Sequence, residues 1–169
     1  SCFPKDVKAF YSTAKKFNIN LSIINAVHES NQNRIEKVAN KIINFVESGS
    51  ILSFLGLSFK PNTDDIRESS SIKIASYLSH KGYTINCFDP KAMGNAKKEF
   101  SEFNYFESAY DACKNVDAIV IGTEWNEFRA LNFYAISKIV KDKKIFDLRN
   151  IYEGSELEKL GFEYYGTGK

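Results

Sequence analysis

Residues 51–90 read ILSFLGLSFKPNTDDIRESSSIKIASYLSHKGYTINCFDP. The stretch begins with a short apolar run, passes through a polar loop into a segment of helical periodicity that Gly82 closes, and ends on a second apolar run. Short apolar runs are typical of buried strands, and strand, helix and strand in this order predict a βαβ unit. We therefore predict strands at 51–57 and 84–90, with a helix at 69–82 between them.

The same alternation continues towards the carboxyl end of the chain. Helices are predicted at 110–116, 133–141 and 155–161, and strands at 118–123, 144–150 and 162–166. Alternating helices and apolar strands are typical of an α/β fold with a doubly wound, mostly parallel sheet.

Two helices are predicted ahead of this sheet. Pro4 suits the first turn of a helix over 4–17, and a longer helix is predicted over 21–47. Apolar residues repeat along the longer helix at i, i+3, i+4 and i+7, namely Ile35, Val38, Ala39, Ile42 and Phe45 or Val46. Such a stripe indicates burial against another helix or against a second subunit.

The composition limits the possible partners. The 169 residues suit one domain plus an appendage, and 23 Lys and Arg nearly balance 21 Asp and Glu. A net charge of +2 argues against a dedicated nucleic-acid binder, so any phosphate should be bound by a few placed cations. No run approaches the roughly 18 apolar residues of a membrane span.

The cysteines argue against a metal site or a disulfide framework. Cys2, Cys87 and Cys113 are widely spaced, and the two histidines lie apart from them. This pattern fits reduced thiols in a cytosolic protein. Cys87 and Cys113 fall in apolar patterns and are predicted to fill the core.

The loop after the first predicted strand carries candidate ligand-binding residues. Gly56 alone does not make the three-glycine dinucleotide fingerprint. Lys60 and Arg67 flank Asp64 and Asp65 close to a helix start, an arrangement that suits an anionic ligand. The alternative is a solvated, salt-bridged loop.

Two later strand ends are also candidates, because ligands bind at the carboxyl ends of strands in a doubly wound sheet. In GTEWNEFR, Trp125 and Phe128 are predicted to be packing residues. In DLRN, Arg149 is placed either to contact a ligand or to form a structural ion pair with its neighbouring aspartate.

The first residues suggest covalent chemistry. Cys2 lies just before a helix begun by Pro4, where free N–H groups and Lys5 would favour a thiolate, and Asp6 could reach the same place. A thiolate beside a carboxylate suits nucleophilic chemistry at a carbonyl. The alternative is a stray cysteine. Met93 is the only methionine, so we expect either a removed leader or the back part of a longer protein.

Five segments together resemble the UDP-glucose/GDP-mannose dehydrogenase family. CFPKD, GLSFKPNTDDIRESSS, FDP, GTEWNEF and FDLRN follow in the family's order over essentially the whole chain, and TEWNEF is most similar to the branch that oxidises UDP-glucose. The resemblance implies that residues 1–49 end a central helical dimerisation segment. It also implies that residues 50–169 form a C-terminal, UDP-binding, Rossmann-like domain.

The resemblance further implies roles for individual residues. Such enzymes oxidise a C6 alcohol twice with NAD⁺, through a cysteine thiohemiacetal and thioester. Cys2 matches the nucleophile and Asp6 the aspartate that assists proton transfer and hydrolysis. Phe59 and Lys60 match residues that line the UDP-sugar, and Arg149 matches a substrate-binding arginine, although Leu148 replaces a glycine that is common in relatives.

Arg67 and Lys5 match residues beside the cofactor, NAD. The NAD fingerprint and a catalytic lysine and asparagine are absent from this chain, so it is expected to be inactive alone. A homodimer or higher oligomer through residues 21–47 is expected. The remaining alternatives are a sister dehydrogenase acting on UDP-N-acetyl sugars or GDP-mannose, and a stand-alone nucleotide-binding module.

Overall fold

The chain begins with two helices and continues into an alternating α/β region. The computed structural model describes the backbone of residues 2–168 and the side chains of residues 5–168. The elements are α1 (Cys2–Lys16), α2 (Ser22–Ile43), β1 (Ile51–Leu55), α3 (Ser70–His80), β2 (Thr84–Phe88), α4 (Met93–Glu99), β3 (Asn104–Tyr105), α5 (Ala109–Ala112), β4 (Ala118–Ile121), α6 (Asn126–Arg129), α7 (Phe133–Ile136), β5 (Lys144–Asp147), α8 (Gly154–Glu158) and β6 (Glu163–Gly166).

The strands form one six-stranded sheet in the order β3-β2-β1-β4-β5-β6. Every pairing between described strands is parallel, and Leu52 of β1 lies between Ile85 of β2 and Ala118 of β4. The predicted doubly wound α/β fold is therefore confirmed, and the sheet is wholly parallel. Chain order reverses between β1 and β4, and sheets of this kind bind ligands outside the carboxyl ends of the strands at such a reversal.

Side chains alternate between two apolar cores, one on each face of the sheet. In β4, Ala118 and Val120 join the core that contains α2 and α3, whereas Ile119 and Ile121 join the opposite core. All four are fully buried, as expected of a parallel strand covered on both faces. Cys87 and Cys113 are likewise buried and unpaired, which confirms their predicted place in the core.

The apolar stripe of α2 packs against the chain's own sheet. Ala39 and Ile42 are fully buried, and Val46 is nearly so, in the core that also holds Phe54 of β1. Ile35 and Val38 remain half-buried, so the stripe is partly exposed, and the homo-oligomer expected through residues 21–47 stays a prediction. Phe45 is 45% exposed, and its ring packs at a tilt against Tyr165 with ring centroids 4.4 Å apart.

Most exposed apolar side chains lie on α1, on the turn that follows it and on the first half of α2. Five of the eight exposed large apolar residues that the structure describes lie there, namely Phe10, Phe17, Ile19, Ile23 and Val27, and Ile23 is 79% exposed; Phe45, Tyr110 and Tyr134 lie elsewhere. The two helices contact each other through the stacked rings of Tyr11 and His28, whose centroids are 4.6 Å apart.

Several element bounds differ from the sequence-based prediction. Helix α2 ends at Ile43 rather than near residue 47, and the Val46 carbonyl is then held by the Tyr83 hydroxyl at 2.8 Å. Helix α4 and the two-residue strand β3 were not predicted. Each of these elements buries at most one residue, so neither shows the apolar periodicity from which elements are predicted.

No helix among the described residues is both long and apolar enough to cross a bilayer.

Candidate functional site

A cavity of about 450 Å³ lies at the carboxyl edge of the sheet. Its floor comes from the loops after β1, β5 and β6 and from the start of α3, and its opposite wall comes from α1 and α2. The volume lies within the roughly 300–1,000 Å³ that is usual for small-molecule sites.

The cavity is lined by more positive than negative charges. Lys8, Arg34, Lys73 and Arg149 contribute cations, and Glu68 contributes the one carboxylate among the described lining residues. An excess of cations in a concave site favours an anionic ligand such as a phosphate ester.

Arg149 is held along one edge of its guanidinium group. Its Nε donates a hydrogen bond to the Gly122 carbonyl at 2.8 Å and lies 3.3 Å from Glu124 Oε2. The side chain of Asp147 does not pair with it and instead accepts the backbone N–H groups of Arg149, Ile151 and Tyr152. The ion pair suggested by DLRN therefore forms with Glu124, while Arg149 also lines the cavity.

Asp89 organises the loop that leads to Phe59. This carboxylate, 1% exposed at the end of β2, accepts the N–H groups of Leu57 at 2.7 Å and Ser58 at 3.0 Å, and the indole N–H of Trp125 at 3.1 Å. Trp125 is buried, as predicted for a packing residue, but its hydrogen bond to Asp89 was not foreseen. The contacts fix the loop after β1 to the loop after β4.

Phe59 and Lys60 occupy different positions relative to the cavity. The half-buried ring of Phe59 lines it, whereas the exposed Lys60 does not and holds its Nζ 5.3 Å from the centroid of that ring. Lys60 therefore stands at the cavity's outer margin, beside one of its walls.

Arg67 is turned into solvent and paired with Asp65. Its Nε and Nη2 donate to the two carboxylate oxygens at 2.9 and 2.8 Å, and its side chain is 85% exposed. These hydrogen bonds lower the pKa of Asp65 to about 2. Arg67 does not line the cavity, so in this chain the loop has the salt-bridged geometry that was the alternative interpretation.

Glu68 connects three elements beside the cavity. Its backbone has a left-handed φ of 57°, and its carboxylate binds Lys73 of α3 and, at 2.8 Å, Lys8 of α1. The hydrogen bonds from Lys73 and Lys8 lower its pKa to about 2. Glu68 was not singled out from the sequence.

Cys2 and Asp6, the residues predicted to perform catalysis, belong to α1. The side chain of Cys2 lies outside the described residues, although its backbone begins α1. Lys5 and Asp6 are exposed on the same helix and do not line the cavity, which α1 reaches through Val7 and Lys8. No group of three potential metal ligands occurs among the described residues.

Helix α2 supplies cavity residues that sequence reasoning missed. His28, Asn31 and Gln32 line the cavity together with Ile35. Their spacing of i, i+3, i+4 and i+7 places them on one helical face, which continues as the buried stripe. The face of α2 is polar at His28, Asn31 and Gln32 and apolar from Ile35 onwards. This change along one face could have predicted that the first half of the helix leaves the core and borders a site.

The fold and the cavity together define a parallel α/β domain with a cation-lined cavity at the carboxyl edge of its sheet. The sequence model of the UDP-glucose/GDP-mannose dehydrogenase family, UDP binding domain, matches residues 53–154. The chain belongs to this family. It is similar to a UDP-glucose 6-dehydrogenase of Rickettsia conorii, with 41% identity over 99% of this chain and 40% of the relative.

Solved structures agree with this assignment. A UDP-glucose dehydrogenase from Pyrobaculum islandicum superposes with a TM-score of 0.84 and 27% identity, over 99% of this chain and 37% of that one. A UDP-D-ManNAc dehydrogenase from Pyrococcus horikoshii gives a TM-score of 0.75 and 26% identity, over 98% and 37%. This chain thus spans about 40% of the length of the curated relatives that it matches.

Proposed function

We propose that the chain is the substrate-binding part of an NAD-dependent UDP-glucose 6-dehydrogenase, which oxidises UDP-glucose to UDP-glucuronate. The observation that carries the proposal is the cation-lined cavity at the carboxyl edge of the sheet, with Arg149 in its wall. The 41% identity to a UDP-glucose 6-dehydrogenase favours this member of the family. Residues 1–49 would end the central helical segment, and residues 50–169 would form the UDP-binding domain.

In this proposal the cavity holds the UDP moiety. Arg149 binds the diphosphate, because a guanidinium group can give two parallel hydrogen bonds to phosphate oxygens. The ring of Phe59 forms an apolar wall, Lys60 adds a cation at the margin, and the polar face of α2 closes the opposite side.

The described residues do not fit a dinucleotide cradle of their own. A side chain at Gly56 would meet Thr123, 2.6 Å away, so the turn after β1 is filled by the loop after β4. Asp89, at the end of β2, is saturated with hydrogen bonds from the protein and has no free oxygen for a ribose. We therefore assign NAD to the remainder of the protein, with Arg67 and Lys5 reaching towards it from this part.

Cys2 and Asp6 would perform the covalent chemistry. The Cys2 thiolate adds to the C6 aldehyde of the sugar to give a thiohemiacetal, whose C6 hydride would leave to NAD⁺. Water then cleaves the resulting thioester into carboxylate and thiolate and releases two protons. Asp6, one helical turn further along, accepts one of these protons, and the other passes to solvent. Buried, unpaired Cys87 and Cys113 support a reducing compartment, and we place the protein in the cytosol.

We also propose a homodimer or a higher homo-oligomer through α1 and the first half of α2. An exposed apolar surface of this kind favours association. The substitution Ile23→Ser should lower the average mass in light scattering while circular dichroism shows that the chain remains folded. An unchanged mass, or a strict monomer before substitution, would contradict this surface as the contact.

The experiment for the cavity is calorimetric titration of this chain with UDP. Wild-type chain should bind, and Arg149→Ala should weaken binding by about tenfold to a hundredfold, since it deletes a charge-assisted contact worth roughly 1.5–3 kcal/mol. Lys159→Ala, which removes an exposed lysine of a surface ion pair, is the matched control. Equal affinity for all three would contradict the assignment of the cavity to UDP.

A second candidate is a sister dehydrogenase for UDP-N-acetyl sugars, favoured by the likeness to the UDP-D-ManNAc dehydrogenase structure. The full-length protein should reduce NAD⁺ with UDP-glucose and much less with UDP-N-acetyl sugars or GDP-mannose, while this chain alone should form no NADH. The reverse preference would favour the sister enzyme.

A further inference from the structure

The Oε2 atom of Glu124, whose side chain as a whole is 35% exposed, is the one buried polar side-chain atom among the described residues that lacks a hydrogen-bond partner. This oxygen is shielded from solvent and lies 3.3 Å from Arg149 Nε, without hydrogen-bonding geometry. A shielded carboxylate oxygen is costly unless a nearby cation compensates it. Arg149 is that cation, so the position of each side chain depends on the other.

The second anchor of Arg149 is rigid backbone. The Gly122 carbonyl that accepts the Nε hydrogen bond belongs to a residue whose own N–H donates to Leu55 of β1 at 2.8 Å. A side chain at Gly122 would meet Ser71 Oγ, 1.9 Å away. The carbonyl is therefore fixed by the sheet and by α3. Glu124, by contrast, is a long side chain on the loop after β4.

These two anchors leave the other edge of the guanidinium free. Among the described residues, neither Nη1 nor Nη2 of Arg149 donates a hydrogen bond, and the side chain lines the cavity. Donors in a guanidinium group lie in one plane, so a hold on Nε sets the direction of the other two nitrogens.

We propose that Glu124 is a positioning residue that aims the free edge of Arg149 at the diphosphate of the ligand. The inference rests on the proposed function, because it assumes that Arg149 binds phosphate. Glu124 touches neither ligand nor reacting atoms in this scheme and acts only through Arg149.

The sign of the effect separates positioning from simple electrostatics. Glu124 is an anion beside an anionic ligand, so loss of its charge alone would tighten UDP binding. Loss of a positioning contact would instead weaken it, because Arg149 could swing away from the productive direction. The two explanations predict opposite changes in the same measurement.

The test is calorimetric titration of this chain with UDP, using Glu124→Gln and the control Glu127→Gln, which neutralises an exposed carboxylate three residues away. Glu124→Gln should weaken binding about threefold to tenfold, and Glu127→Gln should not. In an Arg149→Ala background, Glu124→Gln should cause no further loss. Thermal unfolding of each variant shows whether the fold is kept.

In the full-length enzyme, Glu124→Gln should raise KM for UDP-glucose and leave kcat unchanged. A general loss of stability would not produce this pattern. Tighter or unchanged UDP binding in folded Glu124→Gln, or an equal loss in the Arg149→Ala background, would overturn the positioning role. If Arg149→Ala itself binds UDP normally, the proposed function fails instead, so the two failures are distinguishable.

Discussion

Substitution of Asp89 by asparagine should destabilise the whole sheet region. The Oδ2 atom of Asp89 accepts Leu57 N–H, Ser58 N–H, Ser58 O–H and Trp125 N–H, and Oδ1 accepts the N–H groups of Lys91 and Ala92. An asparagine can accept with only one oxygen. Its amide nitrogen would face donors wherever it is placed.

The magnitude follows from the less costly orientation. Placing the amide nitrogen at the Oδ1 position orphans two donors, whereas placing it at Oδ2 orphans four. Of these two donors the Ala92 N–H is buried and the Lys91 N–H only partly buried, so at about 1–3 kcal/mol for a buried unsatisfied group the smaller loss is at least roughly 1–3 kcal/mol. That is a large fraction of the roughly 5–15 kcal/mol by which a domain is stable.

The assay is equilibrium unfolding in urea, followed by tryptophan fluorescence. Trp125 is the only tryptophan and its indole N–H is bonded to Asp89, so its emission reports on the substituted site directly. Asp142→Asn is the control, because Asp142 is exposed and its carboxylate pairs with Lys144 at the surface, a contact worth about 0–1 kcal/mol. If the free energy of unfolding of Asp89→Asn lay within about 1 kcal/mol of the wild-type value, the role of Asp89 in fixing these loops would be refuted.

Three further predictions concern the site. The pKa of Glu68 is lowered from 4.5 to about 2, so its contribution to stability is present above pH 4.5 and is lost as the pH falls to about 2. The free energy of unfolding of Glu68→Gln should therefore fall less than that of the wild type over this pH range. An equal fall in both proteins would argue against this role. In the full-length enzyme Cys2→Ser should abolish uronate formation, because a hydroxyl near neutral pH is a far weaker nucleophile than a thiolate; wild-type turnover would exclude covalent catalysis there. Lys60→Ala should raise KM for UDP-glucose about tenfold to a hundredfold, and Arg67→Ala should chiefly raise KM for NAD⁺. If neither variant changes either KM, both residues belong to a surface loop.

Local patterns in the sequence were sufficient for the sheet. Apolar runs such as the one at 118–121, separated by helical periodicity, leave few arrangements other than a parallel sheet covered on both faces. The placement of Arg149 at a ligand-binding edge also came from local order, since it follows a strand whose carboxyl end lies there, whereas Phe59 was named only by the family resemblance.

Contacts between distant parts of the chain could not be read in this way. The stripe of α2 looked equally suited to a second subunit, and only the folded chain covers it with β1 and α3. Arg149 pairs with Glu124 rather than with its neighbour Asp147, which is already occupied by backbone N–H groups. Hydrophobic periodicity specifies which face of an element is buried but not what buries it, and a hydrogen bond depends on distances that exist only once the loops are brought together.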